Sequence, residues 1–158
     1  MIPGKIIRFL EHANVSYAGT RDRNLVPHGH KVSGWSVSAD GRTLTVLIPE
    51  PACAHLIESL EDNGQFSVTI EEYPAHEAYQ FKGRYLRHRP AGREDVEIAD
   101  RTGERFLTAV RPFFGEAAVT AVRAFTQQPN LAVDIEVHEV YVQTPGPGAG
   151  ARLLPVEA

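Results

Sequence analysis

The spacing of apolar residues along the chain predicts short strands with a few helices between them. Near the N-terminus, residues 3–12 place Ile6, Phe9 and Leu10 on one face of a short helix that begins after a proline. Apolar and polar residues alternate in 15–20 and again in 65–73, which is the period of a half-buried strand. These patterns indicate sheet structure packed on one side.

A hairpin and a second helix are predicted in the middle of the first half. The segment VPHGHKVSGW (26–35) is predicted to be a strand, and Asp40-Gly41 is a turn signal that joins it to the apolar strand RTLTVLIP (42–49). After Pro51, residues 52–62 have helical spacing. Asn63-Gly64 is typical of a left-handed helix end.

The second half of the chain has helical spacing followed by one long strand. Residues 106–114 form an amphipathic helix pattern, Gly115 interrupts it, and 118–125 suggest a further helix. Residues 131–142 alternate as a strand, and the Gly- and Pro-rich 145–158 are predicted to be an irregular tail. Six strands joined mostly by short turns predict a single α+β domain over 1–158, mainly β. Closure into an antiparallel barrel would remove the free sheet edges.

Composition narrows the classes of function. The chain has 158 residues and a net charge of -4, whereas proteins that bind the nucleic-acid backbone are normally basic. A single cysteine, Cys53, excludes an intramolecular disulfide and fits a reducing compartment. No apolar run approaches the roughly 20 residues that span a bilayer. We therefore predict a cytoplasmic protein with neither nucleic-acid nor membrane partners.

Familiar catalytic motifs are incomplete in this sequence. GWSVS (34–38) lacks the final glycine of a nucleophile elbow, and GPGAG (146–150) does not follow a strand of a βαβ unit. Cys53 lies on an acidic helix that offers no cation to activate a thiol. His28 and His30 share a strand face and could bind a metal or haem, but two solvated histidines explain them more simply. No metal site and no catalytic residue are predicted.

The strand EAYQFKGRYLRH (77–88) has an aromatic face and a polar, cationic face, and its function has two interpretations. The aromatic face carries Tyr79, Phe81 and Tyr85, and the polar face carries Gln80, Lys82 and Arg84. In the first interpretation, Lys82 and Arg84 pair with Asp134 and Glu136 of the last strand, which needs no ligand. In the second, Gln80 and Lys82 line a groove for an anionic aromatic cofactor. The pattern alone favours the salt ladder.

The order of elements resembles that of the pyridoxamine 5'-phosphate oxidase-like split barrels that bind FMN. The resemblance covers about residues 3–90 and resumes with the last strand and RLLP (152–155). It implies an antiparallel split β-barrel with peripheral helices, and a homodimer that holds the flavin between its subunits. It also implies an FMN-dependent oxidoreductase acting on a small molecule.

The resemblance also assigns cofactor contacts by position. The basic residue of the family's Pro-x-x-Arg pattern falls on His30 of PHGH (27–30), and the flavin ring would run along the backbone that follows. A family lysine near the second helix falls at His55 or Leu56. The implied cofactor-binding residues are His30, Lys31, Val32, Ser33, His55, Gln80 and Lys82.

The sequence departs from the family pattern in its charge. No lysine or arginine lies between Arg42 and Lys82, while seven acidic residues do. The FMN phosphate needs fixed positive charge or backbone amides in place of water. We therefore expect weak FMN binding, or reliance on Lys31, Arg84 or another subunit. Two alternatives remain: a haem-binding split barrel, or a dimeric module that has lost its cofactor. In the first, the axial ligand would be His28, His30 or His138.

Overall fold

The computed structural model describes residues 1–50 and 53–155. Within these ranges the chain forms three helices and eight strands. Their bounds are α1 Gly4–His12, β1 Val15–Arg21, β2 Pro27–Lys31, β3 Gly34–Val37, β4 Thr43–Pro49, α2 Cys53–Asn63, β5 Gln65–Glu72, β6 Glu77–Pro90, α3 Arg93–Phe125, β7 Pro129–Val142 and β8 Arg152–Pro155. The predicted α+β class, mainly β, is confirmed.

The strands of the described chain form one antiparallel sheet that curls on itself. Their order is β2-β1-β5-β6-β7-β4-β3, and β8 pairs with β7. The edge strands β2 and β3 are separated only by Val32 and Ser33. The N–H of Val32 donates to the carbonyl of Ser16 in β1 (3.3 Å), and the N–H of Ser33 donates to that of Leu47 in β4 (2.8 Å). Because the three residue steps from Lys31 to Gly34 span at most about 11 Å, the sheet edges must lie close together, which nearly closes the barrel.

The core fills the interior of this barrel. Inward-facing residues of the central strands are fully buried, among them Leu44, Val46, Ile48, Val68, Ile70, Phe81 and Val133. Helix α1 covers one end, with Phe9 packed edge-on against Tyr79 at a centroid distance of 4.9 Å. The indole N–H of Trp35 donates to the carbonyl of Leu10 (3.1 Å), which ties β3 to that helix. The amphipathic pattern predicted for residues 3–12 is confirmed.

The register between β6 and β7 only partly matches the predicted salt ladder. Arg84 lies opposite Glu136, as expected, but Lys82 lies opposite Glu139 and Asp134 pairs with Arg87 through a 2.7 Å ion pair. The reason is that irregularities after Lys82 and after Tyr85 shift the register. Within residues 1–50 and 53–155, neither Lys82 nor Arg84 forms a salt bridge.

Two predictions about the strands are wrong. The predicted strand 26–35 is divided, because the chain leaves β2 at Lys31 and crosses to the other sheet edge before β3. The tail predicted as irregular contains β8, whose Arg152 lies opposite Tyr141. Turns in 145–151 reverse the chain, and an ion pair between Arg152 and Glu139 (2.7 Å) holds the returning strand. Residues 156–158 lie outside the described part, as do Pro51 and the predicted helix start at Ala52.

Helix α3 fills the long connection between β6 and β7. It begins at Arg93, earlier than the apolar pattern predicts, and it is broken at Gly115, whose φ of 73° is not helical. The predicted interruption is therefore confirmed. The first half packs on the outside of the sheet, where Ala99 contacts Leu47 and Ala132. None of the helices that the structure describes is long and apolar enough to cross a membrane.

Candidate functional site

A cavity of about 170 Å³ opens where the chain crosses between the sheet edges, and we call it the crossover cavity. One wall is formed by Lys31, Val32 and Ser33, and the facing wall is a stripe of α3. That stripe consists of Ala99, Thr102, Gly103 and Phe106, which the helical repeat places on one face. Val122, Gln127 and Gln128 complete the lining with residues from the start of the chain, Asn14, Val15, Ser16 and Tyr17. The interior is mostly apolar.

A second cavity, of about 460 Å³, follows β2 from this point, and we call it the histidine cleft. It shares the lining residues Lys31 and Gln127 with the crossover cavity, so the two adjoin each other. Its further lining residues are Pro27, His28, Gly29, His30, Pro49, Glu50 and His55. Three predicted site residues, His30, Lys31 and His55, thus come together here.

A third, wide depression of about 1010 Å³ lies beyond β2, and we call it the basic groove. It shares Pro27, His28 and Gly29 with the histidine cleft. Its charged residues are Arg21, Lys82, Arg84, Arg152 and Glu139, with the ionisable His28 and His138. Four fixed cations against one carboxylate make this region strongly positive in a protein whose net charge is -4. An anionic ligand would be attracted to it.

The structure does not support His30 as a cationic phosphate ligand. Its side chain is buried, and its Nε2 lies 3.0 Å from the hydroxyl of Thr20 on the neighbouring strand. Burial lowers the pKa of His30, and the nearby imidazoles of His28 and His55 lower it further. The ring is therefore neutral at pH 7 and offers no fixed charge to an anion. Lys31 is left as the fixed cation of the histidine cleft.

His28 and His55 face each other at the mouth of the histidine cleft. Their rings are parallel, with centroids 6.0 Å apart, and each lies near a carboxylate. His28 Nε2 is 3.9 Å from Asp22, and His55 Nδ1 is 3.6 Å from Glu58. Within residues 1–50 and 53–155, no group of three His, Cys, Asp or Glu side chains is arranged to hold a metal ion. This pair instead presents parallel aromatic faces beside β2.

The backbone donors of Val32 and Ser33 are already used by the sheet. Both N–H groups donate to carbonyls of other strands, as described above, and the hydroxyl of Ser33 donates to the carbonyl of Gln127 (3.2 Å). A flavin ring placed along this segment would therefore not receive hydrogen bonds from these two amides. The side that Val32 and Ser33 present to the crossover cavity remains available for packing.

Gln80 and Lys82 lie on β6, three strands away from β2 in the sheet order. Lys82 lines the basic groove, and its Nζ is 4.8 Å from the ring centroid of Tyr141. Gln80 is half-buried between Thr69 and Tyr141 on the neighbouring strands, and it is not among the residues that line these three cavities. The structure therefore brings Lys82, but not Gln80, to a cavity that adjoins the histidine cleft of Lys31.

Cys53 is not an activated nucleophile. The thiol is half-buried and lies 3.9 Å from the carbonyl of Ile48 and 3.8 Å from that of Pro49. Burial raises the pKa of this thiol, and the carboxylate of Glu50 raises it further. The protonated form therefore dominates at neutral pH.

Comparisons with known proteins identify the architecture. No protein-family model and no curated protein matches the sequence. Among solved structures, HupZ of Group A Streptococcus is similar, with a TM-score of 0.56, 17% identity and coverage of 95% of this chain and 100% of that one. An FMN-binding protein from Syntrophomonas wolfei has a TM-score of 0.50 and 11% identity, covering 87% of this chain and 88% of that one.

A third similar structure carries the family description itself. It is a Clostridium acetobutylicum protein related to general stress protein 26, described as of the pyridoxinephosphate oxidase family. Its TM-score is 0.52 at 9% identity, and the match covers 96% of this chain and 92% of that one. The fold is a split barrel. At these identities the likeness concerns the fold alone.

Several residues of this split barrel's cavities were not predicted to be functional. Arg21 reaches the basic groove from β1, and the crossover cavity depends on α3 residues such as Asp100, Gly103 and Phe106. The apolar helical pattern begins only at residue 106, so the sequence did not mark Gly103 as a helical position. The structure places it inside α3, where glycine weakens a helix and needs another reason to be there.

Proposed function

We propose that this protein binds a phosphate-bearing flavin, FMN, along β2 and acts as a redox protein. The observation that carries the proposal is the basic groove. It gathers four fixed cations from three separate chain segments beside β2, which compensates for the absence of lysine and arginine between residues 42 and 82. A phosphate close to a dianion requires such charge.

The residues present fit this cofactor in their donor chemistry. Lys82 and Arg84 line the groove without a salt-bridge partner in the described chain, so their charges remain available. Arg152 is neutralised by Glu139, and Arg21 donates to the side chain of Gln65. We therefore assign the phosphate to Lys82 and Arg84, and the adjoining aromatic part to the histidine cleft with Lys31.

A bound flavin would supply the hydride chemistry, and the chain would bind and orient it. The parallel imidazoles of His28 and His55, with ring centroids 6.0 Å apart, offer aromatic faces for stacking. Lys31, at the junction of the histidine cleft and the crossover cavity, would place a positive charge next to the ring system. The neutral His30 would hold β2 to β1 through Thr20.

FMN titration of the purified protein tests this proposal. We expect saturable binding at micromolar or weaker affinity, and about tenfold weaker binding for Arg84→Ala, because a charge-assisted contact of this kind contributes about 1.5–3 kcal/mol. Riboflavin lacks the phosphate, so its affinity should be equal for wild type and Arg84→Ala. Lys5→Ala, on the exposed side of α1, is the matched control and should bind FMN as wild type does.

Two results would contradict the proposal. Protein that is colourless as purified and does not bind FMN would exclude flavin binding. A Soret band after addition of haemin that is lost in His28→Ala would favour the haem-binding alternative. Protein that stays colourless with FMN, FAD, F420 and haem would favour the other alternative, a dimeric module that has lost its cofactor.

We further propose that the protein is a homodimer whose second copy closes the basic groove. The groove is wide and open in one copy, and the exposed Leu25 and Val26 lie next to β2 at its border. Apolar side chains with exposures of 68% and 49% beside a charged groove are suited to an interface. Light scattering after size exclusion should give twice the mass of the chain, and a monomer at micromolar concentration would rule the dimer out.

A further inference from the structure

The crossover cavity has the size of a single ring rather than of a flavin. Its volume is about 170 Å³, and an apolar cavity of about 150 Å³ is enough to bind benzene. Three fused rings with a ribityl chain do not fit in that volume. The cavity therefore suits a ligand other than the proposed cofactor.

The residues that line the cavity indicate the chemical class of that ligand. Phe106, Val122 and Val32 supply apolar surface. Several polar groups of the lining are already hydrogen-bonded within the protein. The hydroxyl of Thr102 donates to Ile98, and Asp100 accepts from Gln128 at 2.9 Å. A ligand with an apolar body would therefore leave few polar groups of the cavity without a hydrogen-bond partner.

Lys31 provides a charge at one side of the crossover cavity. In residues 1–50 and 53–155, no carboxylate lies within ion-pair distance of its ammonium group, and the side chain is exposed. Asp100, also exposed, contributes the opposing charge on the α3 side and is held by Gln128. A carboxylate on the ligand is therefore attracted at the β2 side and repelled at the α3 side, which fixes its orientation.

Gly103 leaves the space that the ring would occupy. No atom lies within 4 Å of a Cβ built on it, and it lines the cavity between Ala99 and Phe106 on the same helix face. Glycine weakens the middle of a helix, so local structure does not explain its presence. The absence of a side chain at this position keeps the cavity open.

We propose that the crossover cavity binds a monocyclic carboxylate, with the ring against Phe106 and Val122 and the carboxylate toward Lys31. This ligand is distinct from the flavin of the proposed function and adjoins it through Lys31. Its binding does not depend on the flavin, so the two proposals can fail separately.

Calorimetric titration of the flavin-free full chain with benzoate and with neutral benzyl alcohol tests the inference. Gly103→Leu fills the cavity and should weaken both ligands by about tenfold or more. Lys31→Ala should weaken benzoate by about fivefold and benzyl alcohol by less than about twofold, since an exposed charge contributes modestly. Lys5→Ala should bind both probes as wild type does.

The inference is overturned if wild type binds neither probe, or if Gly103→Leu binds benzoate as tightly as wild type. It is also overturned if Lys31→Ala and Lys5→Ala behave alike. Should Gly103→Leu fail to fold, as judged by circular dichroism, Val122→Phe fills the cavity from another lining position and must give the same loss.

Discussion

Replacing Gly83 with alanine should sharply reduce the stability of the fold. Gly83 lies at the irregularity where β6 and β7 change register, opposite Phe66 on one side and Val137 on the other. A Cβ at this position would overlap the carbonyl oxygen of Glu136 and would lie 2.9 Å from its carbonyl carbon and 3.0 Å from the side chain of Ile135. Because backbone atoms are involved, the strands themselves must separate.

The expected loss follows from two contributions. Forcing an extra methyl group into a packed site costs about 1–3 kcal/mol. Moving β6 away from β7 also weakens neighbouring ladder hydrogen bonds, which contribute about 1 kcal/mol each. Together these give a decrease of about 3 kcal/mol in the free energy of unfolding. For a chain of this size, that corresponds to a fall of about 6–12 °C in Tm.

Urea unfolding followed by the fluorescence of the single tryptophan, Trp35, measures this change, since the indole is buried in the native state. Gly29→Ala is the matched control: Gly29 is also a strand glycine, but a Cβ there has no atom within 4 Å. We expect its stability to stay within about 0.5 kcal/mol of wild type. If Gly83→Ala is as stable as Gly29→Ala, the steric reasoning about this register shift is wrong.

Two further predictions concern stability. Burial lowers the pKa of His30, so the unfolded chain binds the proton more readily. The free energy of unfolding should therefore decline as pH falls below about 6.5, and this decline should be smaller in His30→Gln than in wild type or in the control His12→Gln. Urea unfolding at pH 7.5 and 5.5 measures the decline. An equal decline in all three proteins would contradict the prediction. Asp95 is 6% exposed, accepts the N–H of Gly92 at 2.7 Å and pairs with Arg89 at the start of α3. Asp95→Ala should lower the free energy of unfolding, measured in urea, by about 2 kcal/mol. Arg93→Ala removes only an exposed ion pair and should lower it by less than about 0.5 kcal/mol. Similar losses for both would refute the role of Asp95.

Local periodicity was sufficient to predict the helices and strands whose own apolar spacing shows which face is buried. Helix α1, strands β4 and β5 and the break at Gly115 were predicted because apolar spacing or a glycine marks them directly. The division of 26–35 into β2 and β3 could not be predicted in this way. Val32 is apolar and continues the strand pattern, and only hydrogen bonds to two distant strands reveal that the chain changes sheet edge there.

The candidate site was predicted in part for the same reason. Lys31 and His55 do line one cleft, and their contact with a cofactor stays a prediction. Burial suppresses the charge of His30, and so do His28 on the same strand and His55 on α2. The burial and the contribution of α2 are not contained in any single-strand pattern. The basic groove draws on segments around residues 21, 82–84 and 152, which are brought together only by the pairing of β1, β5, β6, β7 and β8.

The position of β7 between β6 and β4 affects how the protein can be synthesised. β4, which is almost wholly apolar, pairs with β7. Its Thr45 donates a hydrogen bond to Asp134, which is synthesised 89 residues later. At translation rates of 5–20 residues per second, the apolar strand β4 therefore lacks its partner strand β7 for roughly 4–18 s on the ribosome. We therefore expect this delay to determine how strongly expression of the protein depends on chaperones. Circular permutants that place β7 directly before β3 shorten the delay and should depend on chaperones less.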